Sequence, residues 1–397
     1  MADWSQLPKE LVQVIAERLE KESEFYVLRF RSVCSSWRSS VPIKHHPLPA
    51  RFPILTNDSK SDACGSFYLS KRTIFLVAAP RNLSRLNPDP WLVKIGEDDH
   101  GRKQHFDLLS RFRIKPPHMD FPKVLDINEL PVLELAQEYV LNPNGFRNSI
   151  EDAAASLYRE KVVFMWLNSG KEQFVLLTIH VSGKLALFKS DDKEWTIIPY
   201  MFTPYDDVIA FKRKLYAVDS IGRTVVVGLD SNLSLVAEPV FGGDKKFLVE
   251  SNDDLLLVDK YLSPASDQDS IISDEFDEEI EGSTCERAAR FSVFKLEEET
   301  NKWLALKSLG NRILFLGDDC TFSASVADLS ISKGNCIIFL DDFLYLYGEQ
   351  SGIGFFNLDD GKIFPLSDYP GYFKLFCPPP DWVRLPRQTE QLEELTL

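Results

Sequence analysis

The chain has 397 residues, 44% of them hydrophobic, and a net charge of −15. That length accommodates two or three domains with a sizeable core, and no apolar run approaches the ~20 residues that a bilayer-spanning helix needs. The charge is uneven, +6 over residues 1–125 and −21 over residues 126–397, so phosphate backbones are repelled by the larger part and nucleic acid is a poor ligand for it.

At the N-terminus, Pro8 suits a first helical turn, where its missing N–H costs nothing, and Ser5 is placed to cap it. Leu11, Val14 or Ile15, and Leu19 recur at three- and four-residue steps, which sets them on one stripe of a helix. A second helix is expected over 24–30 and a third over 33–39, with Val33, Cys34 and Trp37 on one side. Three helices in about 40 residues bury too little to stand alone, so the module should dock on something. Asp3, Lys9 and Glu10 stand where a signal peptide would be apolar, so secretion is not expected.

Leu7-Pro8, Glu10-Leu11, Ile15 and Leu19, followed by Leu28, Arg31, Val33-Cys34 and Trp37-Arg38, resemble the F-box pattern. The resemblance implies that Leu7, Pro8, Leu11, Ile15, Val33 and Trp37 help form a surface for the Skp-type adaptor of a cullin-RING ubiquitin ligase. The plainer alternative is that these residues are the core of a helical cap on the next domain. The F-box-like part is assigned to residues 1–42.

Residues 43–59 hold Pro42's successors Pro47, Pro49 and Pro53 and read as a stiff linker. His45-His46 within it has no carboxylate or cysteine at ligand spacing, so no metal is expected there. The six cysteines are scattered without a C-x-x-C pair, as reduced thiols of a nuclear or cytoplasmic protein would be. The one basic triplet, Lys212-Arg213-Lys214, falls in an expected hairpin turn.

From residue 60 to about 385 the chain becomes short β-rich runs separated by Gly, Asp, Asn and Pro, with residues 386–397 as a tail. A recurring strand–turn–strand unit can be aligned at Val93, Leu141, Phe188, Val227, Phe294 and Phe356, with spacings of 48, 47, 39, 67 and 62 residues. Periods of about 40 to 50 residues are those of propeller blades. The fold class is therefore mainly β: three N-terminal helices followed by a β-propeller of about six blades, with a β-sandwich pair as the alternative. The later repeats, from Trp303 through Leu309-Gly310-Asn311-Arg312, Leu314 to Gly317, Phe322 to Ser325, Lys333 to Phe339 and Gly352 to Pro365, resemble a large plant family. In that family an F-box precedes a kelch-related domain of unassigned function, which implies a substrate receptor and supplies no catalytic residues to transfer. Gly317, Gly334, Gly352 and Gly361 read as turn formers, and Phe315, Phe322, Phe339 and Phe356 as blade core.

The segment 263–286 is strongly biased, with eight acidic and no basic residues from Asp267 to Glu281. It reads as a disordered insertion, and Ser273 before Asp274-Glu275 as an acid-directed phosphorylation site. No phosphate loop, dinucleotide fingerprint, G-x-S-x-G or H-E-x-x-H occurs, and His180 in an apolar run reads as structural. Two functions remain. One is a non-enzymatic ligase subunit, needing no cofactor or metal, that joins an adaptor to an unknown target protein; the other is a lactonase-like propeller hydrolase with a helical cap.

Overall fold

The computed structural model describes residues 4–22, 24–42, 52–53, 66–78, 89–97, 102–111, 130–144, 161–168, 173–264, 286–341 and 352–376. His45-His46 and Ser273 lie outside them.

A 3-10 turn, Trp4–Gln6, leads into helices α1 (Lys9–Glu22), α2 (Glu24–Arg31) and α3 (Ser35–Ser40). Pro8 stands at the start of α1, and its carbonyl accepts from the Leu11 and Val12 amides at 3.0 and 3.1 Å. Cys34 caps α3 by accepting from the Trp37 amide at 3.4 Å, so this helix begins two residues later than expected.

Twenty-two strands follow among the described residues. β1 (Phe52–Pro53) pairs with β2 (Ser66–Val77), which continues through β3 (Trp91–Glu97), β4 (Lys103–Phe106) and β5 (Val132–Asn144) in the order β5-β2-β3-β4. A second antiparallel unit is β6 (Val162–Trp166), β7 (Phe174–Ile179), β8 (Leu185–Lys189) and β9 (Thr196–Ile197). It joins the first by one pair, Tyr139 with Val162. The third unit is β10 (Tyr205–Phe211) to β13 (Leu233–Ala237), through β11 (Lys214–Asp219) and β12 (Thr224–Val227). The fourth is β14 (Lys245–Ser251), β15 (Asp254–Pro264), β16 (Glu286–Glu297) and β17 (Lys302–Leu306). The fifth is β18 (Arg312–Leu316), β19 (Thr321–Ser325), β20 (Cys336–Leu340), β21 (Ile353–Asn357) and β22 (Lys362–Pro365), in the order β19-β18-β20-β21-β22 with β18 and β20 parallel.

The edge strands β5, β6, β10, β14 and β19 pack successively around a ring that closes from β19 back to β5. Among the described residues the propeller therefore has five blades, where the repeat spacing suggests about six. The difference has a specific source: Val93 in β3 and Leu141 in β5 belong to the same blade, so aligning them as equivalents counts that blade twice. The 62-residue interval also acquires a cause, since the fifth blade holds an extra strand and the short helix Val326–Leu329.

The core consists of layers between blades, not one central mass. In β11, Leu215 and Ala217 enter the layer shared with the second blade, while Tyr216 and Val218 enter the layer shared with the fourth. β15 repeats this, with Leu256 and Val258 on one side and Leu255 and Leu257 on the other. Both faces of these strands are buried, which explains why they read as unbroken apolar runs. Phe315, Phe322, Phe339 and Phe356 are all buried in such layers.

Hairpin chemistry is local. Lys212 and Arg213 have φ of 45° and 59°, and Asn252 and Asp253 have 53° and 61°, the pattern of the two-residue turn whose twist matches a hairpin. Gly317 is needed for a different reason than turning: a Cβ there would lie 2.4 Å from the Leu109 carbonyl oxygen.

β4 presents His105 edge-on to Trp91, with centroids 6.0 Å apart. Burial brings its ring down to about 4, against a weaker opposing pull from Asp107. The neutral ring is thus favoured in the fold, so its contribution is complete above the unfolded value near 6.5 and is lost as pH falls toward 4. At pH 5 this amounts to about 2 kcal/mol relative to neutrality. Denaturant titrations at pH 7 and pH 5 should show that much smaller a loss in His105→Gln than in the wild type; equal losses would count against this role.

Candidate partner-binding surface and the propeller hub

α1 carries apolar residues around more than one stripe, and three short helices can bury only one side of it. Val12 and Ala16 point inward and form the module's core with Phe30 and Trp37, while Leu7, Leu19, Cys34 and Val41 pack around them. The inward register of α1 is therefore Val12, Ala16 and Leu19, not Leu11, Val14 or Ile15. Leu11 remains 51% exposed, Ile15 37% and Val33 59%, and Val14, Leu28 and Trp4 are exposed as well.

The six residues singled out from sequence thus divide by location. Leu11 and Ile15 form an i, i+4 ridge open to solvent, Val33 lies exposed before α3, and Pro8 is exposed where α1 begins. Leu7 is half-buried against the core. Trp37 is 9% exposed. Its indole stacks on Phe30 at 4.3 Å and its Nε1 donates to the Trp4 carbonyl at 3.1 Å, so it ties the 3-10 turn, α2 and α3 together. From α2, Tyr26 packs against Val77, Trp91, Val93 and Val132 of the first blade.

The hub of the propeller is held by buried ions that sequence reading did not single out. Glu138 on β5 receives the Arg72 Nη1 at 3.3 Å and the Lys94 Nζ at 3.0 Å. Lys94 also donates to the Ser110 carbonyl, and Arg72 to that of Arg111. Arg111 in turn meets Asp319 at 2.7 Å across the junction of the first and fifth blades. Burial pushes the Asp319 carboxyl up, to about 7, against the attraction of Arg111. Lys161, just before β6, lies 3.1 Å from Asp207 of the third blade and 3.0 Å from the Thr321 hydroxyl of the fifth. Asp207 also accepts from the Leu248 amide of the fourth blade. The sequence signal for this set was faint, a charge in or beside an apolar run, as in Trp91-Leu92-Val93-Lys94-Ile95.

The Glu138 carboxylate is engaged by cations of its own blade, and those of Asp319 and Asp207 by cations and amides of neighbouring blades. Among the described residues no group of three His, Cys, Asp or Glu side chains is placed to hold a metal ion. His180 lies one residue past β7, with Nδ1 2.7 Å from the Ser182 hydroxyl and accepting from the Ser182 amide, so that nitrogen shapes a turn.

Residues 4–45 match the model of the F-box domain, and residues 66–357 that of the KIB1-4 beta-propeller. The chain is 42% identical over 399 residues to the F-box protein SKIP23 of Arabidopsis thaliana, with 96% of each chain covered. It is 34% identical to the F-box protein At2g17036 of the same plant, covering 96% of this chain and 95% of that one. It is 30% identical to the putative F-box/kelch-repeat protein At5g24040, also from Arabidopsis thaliana, over 96% of this chain and 99% of that one.

Proposed function

The chain belongs to the plant F-box proteins that carry a KIB1-4 β-propeller, and from that premise we propose that it is the substrate receptor of a Skp–cullin–F-box ubiquitin ligase. The helical module docks on the Skp-type adaptor, and the propeller recruits a protein for ubiquitination in the nucleus or cytoplasm. The chain itself performs no bond chemistry in this reading; it sets the distance and orientation between target and ligase.

The supporting observation is the exposed ridge of Leu11 and Ile15, with Val33 and Leu28, on a module whose core is already filled by Val12, Ala16, Phe30 and Trp37. Apolar side chains left outside a complete core gain only by being covered. Leu11→Ala with Ile15→Ala removes contact area while preserving helix propensity. Binding energy concentrates in a few buried contacts, so this double variant should bind the adaptor about 30- to 1000-fold more weakly, or about 2 to 4 kcal/mol. Calorimetric titration against purified adaptor reads this directly. Unchanged affinity would mean that the ridge is not the docking surface.

A further inference from the structure

We infer that the propeller face formed by the loops of blades two to four docks an acidic, apolar-bearing segment of another protein, with Phe202, Phe241, Arg223 and Arg290 as its contact points. The inference deepens the receptor reading, on which it rests for the partner's role.

In a four-stranded antiparallel blade, the turn between the second and third strands shares an end with the exit of the fourth strand. The turns after β7 and β11, the connections β9–β10 and β13–β14, and the far ends of β15 and β16 therefore lie on one face. Contacts join them into a continuous row. The Tyr205 amide donates to the Gly183 carbonyl and the Ser220 amide to that of Pro204, both at 2.9 Å. The Arg223 guanidinium lies over the Phe202 ring at 3.8 Å. A Cβ on Gly222 would sit 2.8 Å from the Val240 nitrogen, so these two loops touch backbone to backbone. The Asp244 amide donates to the Lys260 carbonyl, and the Asp244 carboxylate accepts from Leu262, each at 2.8 Å. Arg290 then covers the Tyr261 ring at 3.9 Å.

On this braced surface Phe202, Tyr200 and Phe241 are 80%, 77% and 74% exposed. Rings so placed, interleaved with arginines, have the composition of an interface core more than that of ordinary surface. A guanidinium fixed over a ring keeps its edge for a carboxylate. Arg223 has an acidic neighbour in Asp219, at 3.9 Å. Residues 181–184, 199–204, 219–223, 238–245, 260–264 and 286–290 together carry six cationic side chains and four carboxylates, in a chain of net charge −15, with Lys260 alone among the cations turned over the buried Phe339 ring and Asp219 itself buried. A cationic, aromatic face on an acidic protein is complementary to an acidic segment carrying apolar side chains. The acidic stretch from Asp267 to Glu281 is tethered to this same face at Pro264 and Glu286, so its own occupation of the surface is the alternative to be separated.

The test is fluorescence anisotropy on the full chain, with a short labelled peptide alternating Glu with Leu and Tyr and a control in which every Glu is Gln. The Glu peptide should bind at least about tenfold tighter than the control, and should weaken as salt is raised. Arg223→Glu with Arg290→Glu, and separately Phe202→Ala with Phe241→Ala, should each cost about tenfold or more. Equal binding of the two peptides, or full binding by the charge-reversed variant, would overturn the inference. So would binding seen only after the eight acidic residues from Asp267 to Glu281 are changed to amides, since the chain's own segment would then be the occupant. Adaptor titrations on the same preparations keep the two readings apart. A charge-reversed variant that still binds adaptor is intact, while a wild type that binds peptide but no adaptor refutes the receptor reading and leaves the face standing.

Discussion

Glu138→Ala is expected to lower the unfolding free energy of the propeller by about 3 to 5 kcal/mol, the cost of leaving buried charges without their partner. Its side chain is 1% exposed and is the shared counter-ion of Arg72 and Lys94, themselves nearly inaccessible. The position amplifies the loss. Among the described residues, the strands of blades one and five each come from one region of the chain, and no described strand from one end completes the blade at the other. The ring is closed instead by the apolar layer around Ile74, Phe315 and Ile338, by Arg111 with Asp319, and by the amides of Asp318 and Leu92 donating to Leu109 and Leu375. Arg72 reaches both Glu138 and the carbonyl of Arg111, so losing the carboxylate disturbs the residue that makes the closing ion pair. Chemical denaturation of the wild type, Glu138→Ala and Glu138→Gln would measure the effect. Gln keeps an acceptor but not the charge, so it should fall between the other two. A loss below about 1 kcal/mol for Ala, the scale of a surface pair, would show that water reaches and solvates this site.

The second large effect is expected from Trp37→Ala, which should unfold the helical module and abolish adaptor binding while leaving the propeller's melting transition unchanged. Truncating a buried Trp costs about 3 to 5 kcal/mol, and a module of about 40 residues has little more stability than that to lose. Stacking on Phe30 and the hydrogen bond to Trp4 disappear together, and these contacts hold the 3-10 turn, α2 and α3 in place. The contrast with Leu11→Ala/Ile15→Ala is diagnostic. Both variants should lose adaptor binding, but only Trp37→Ala should lose helical circular dichroism and expose the N-terminus to protease. If Trp37→Ala keeps its helicity and its adaptor affinity, the module does not depend on this core.

What the sequence determined by itself is what nearest neighbours decide. Pro8 and the three- and four-residue spacing of apolar side chains specify α1, the alternation of polar turns with apolar runs specifies strands, and Lys212-Arg213 marks a hairpin between Phe211 and Lys214. The N-terminal module and the class of the larger domain were legible for that reason. Which side of α1 faces inward was not, because Leu11, Val12, Ile15 and Ala16 are all apolar and only packing against Phe30 and Trp37 selects Val12 and Ala16. The blade count was not legible either: β5 follows β4 in sequence yet pairs with β2, and spacing cannot distinguish a new blade from the inner strand of an old one. The hub ions were hidden most deeply. Arg72 meets Glu138, 66 positions away, only when β2 pairs with β5 inside the first blade, and Arg111 meets Asp319, 208 positions away, only when the ring closes, so burial of these charges is tolerable only in the assembled fold, and nothing local to Lys94 or Glu138 encodes their meeting.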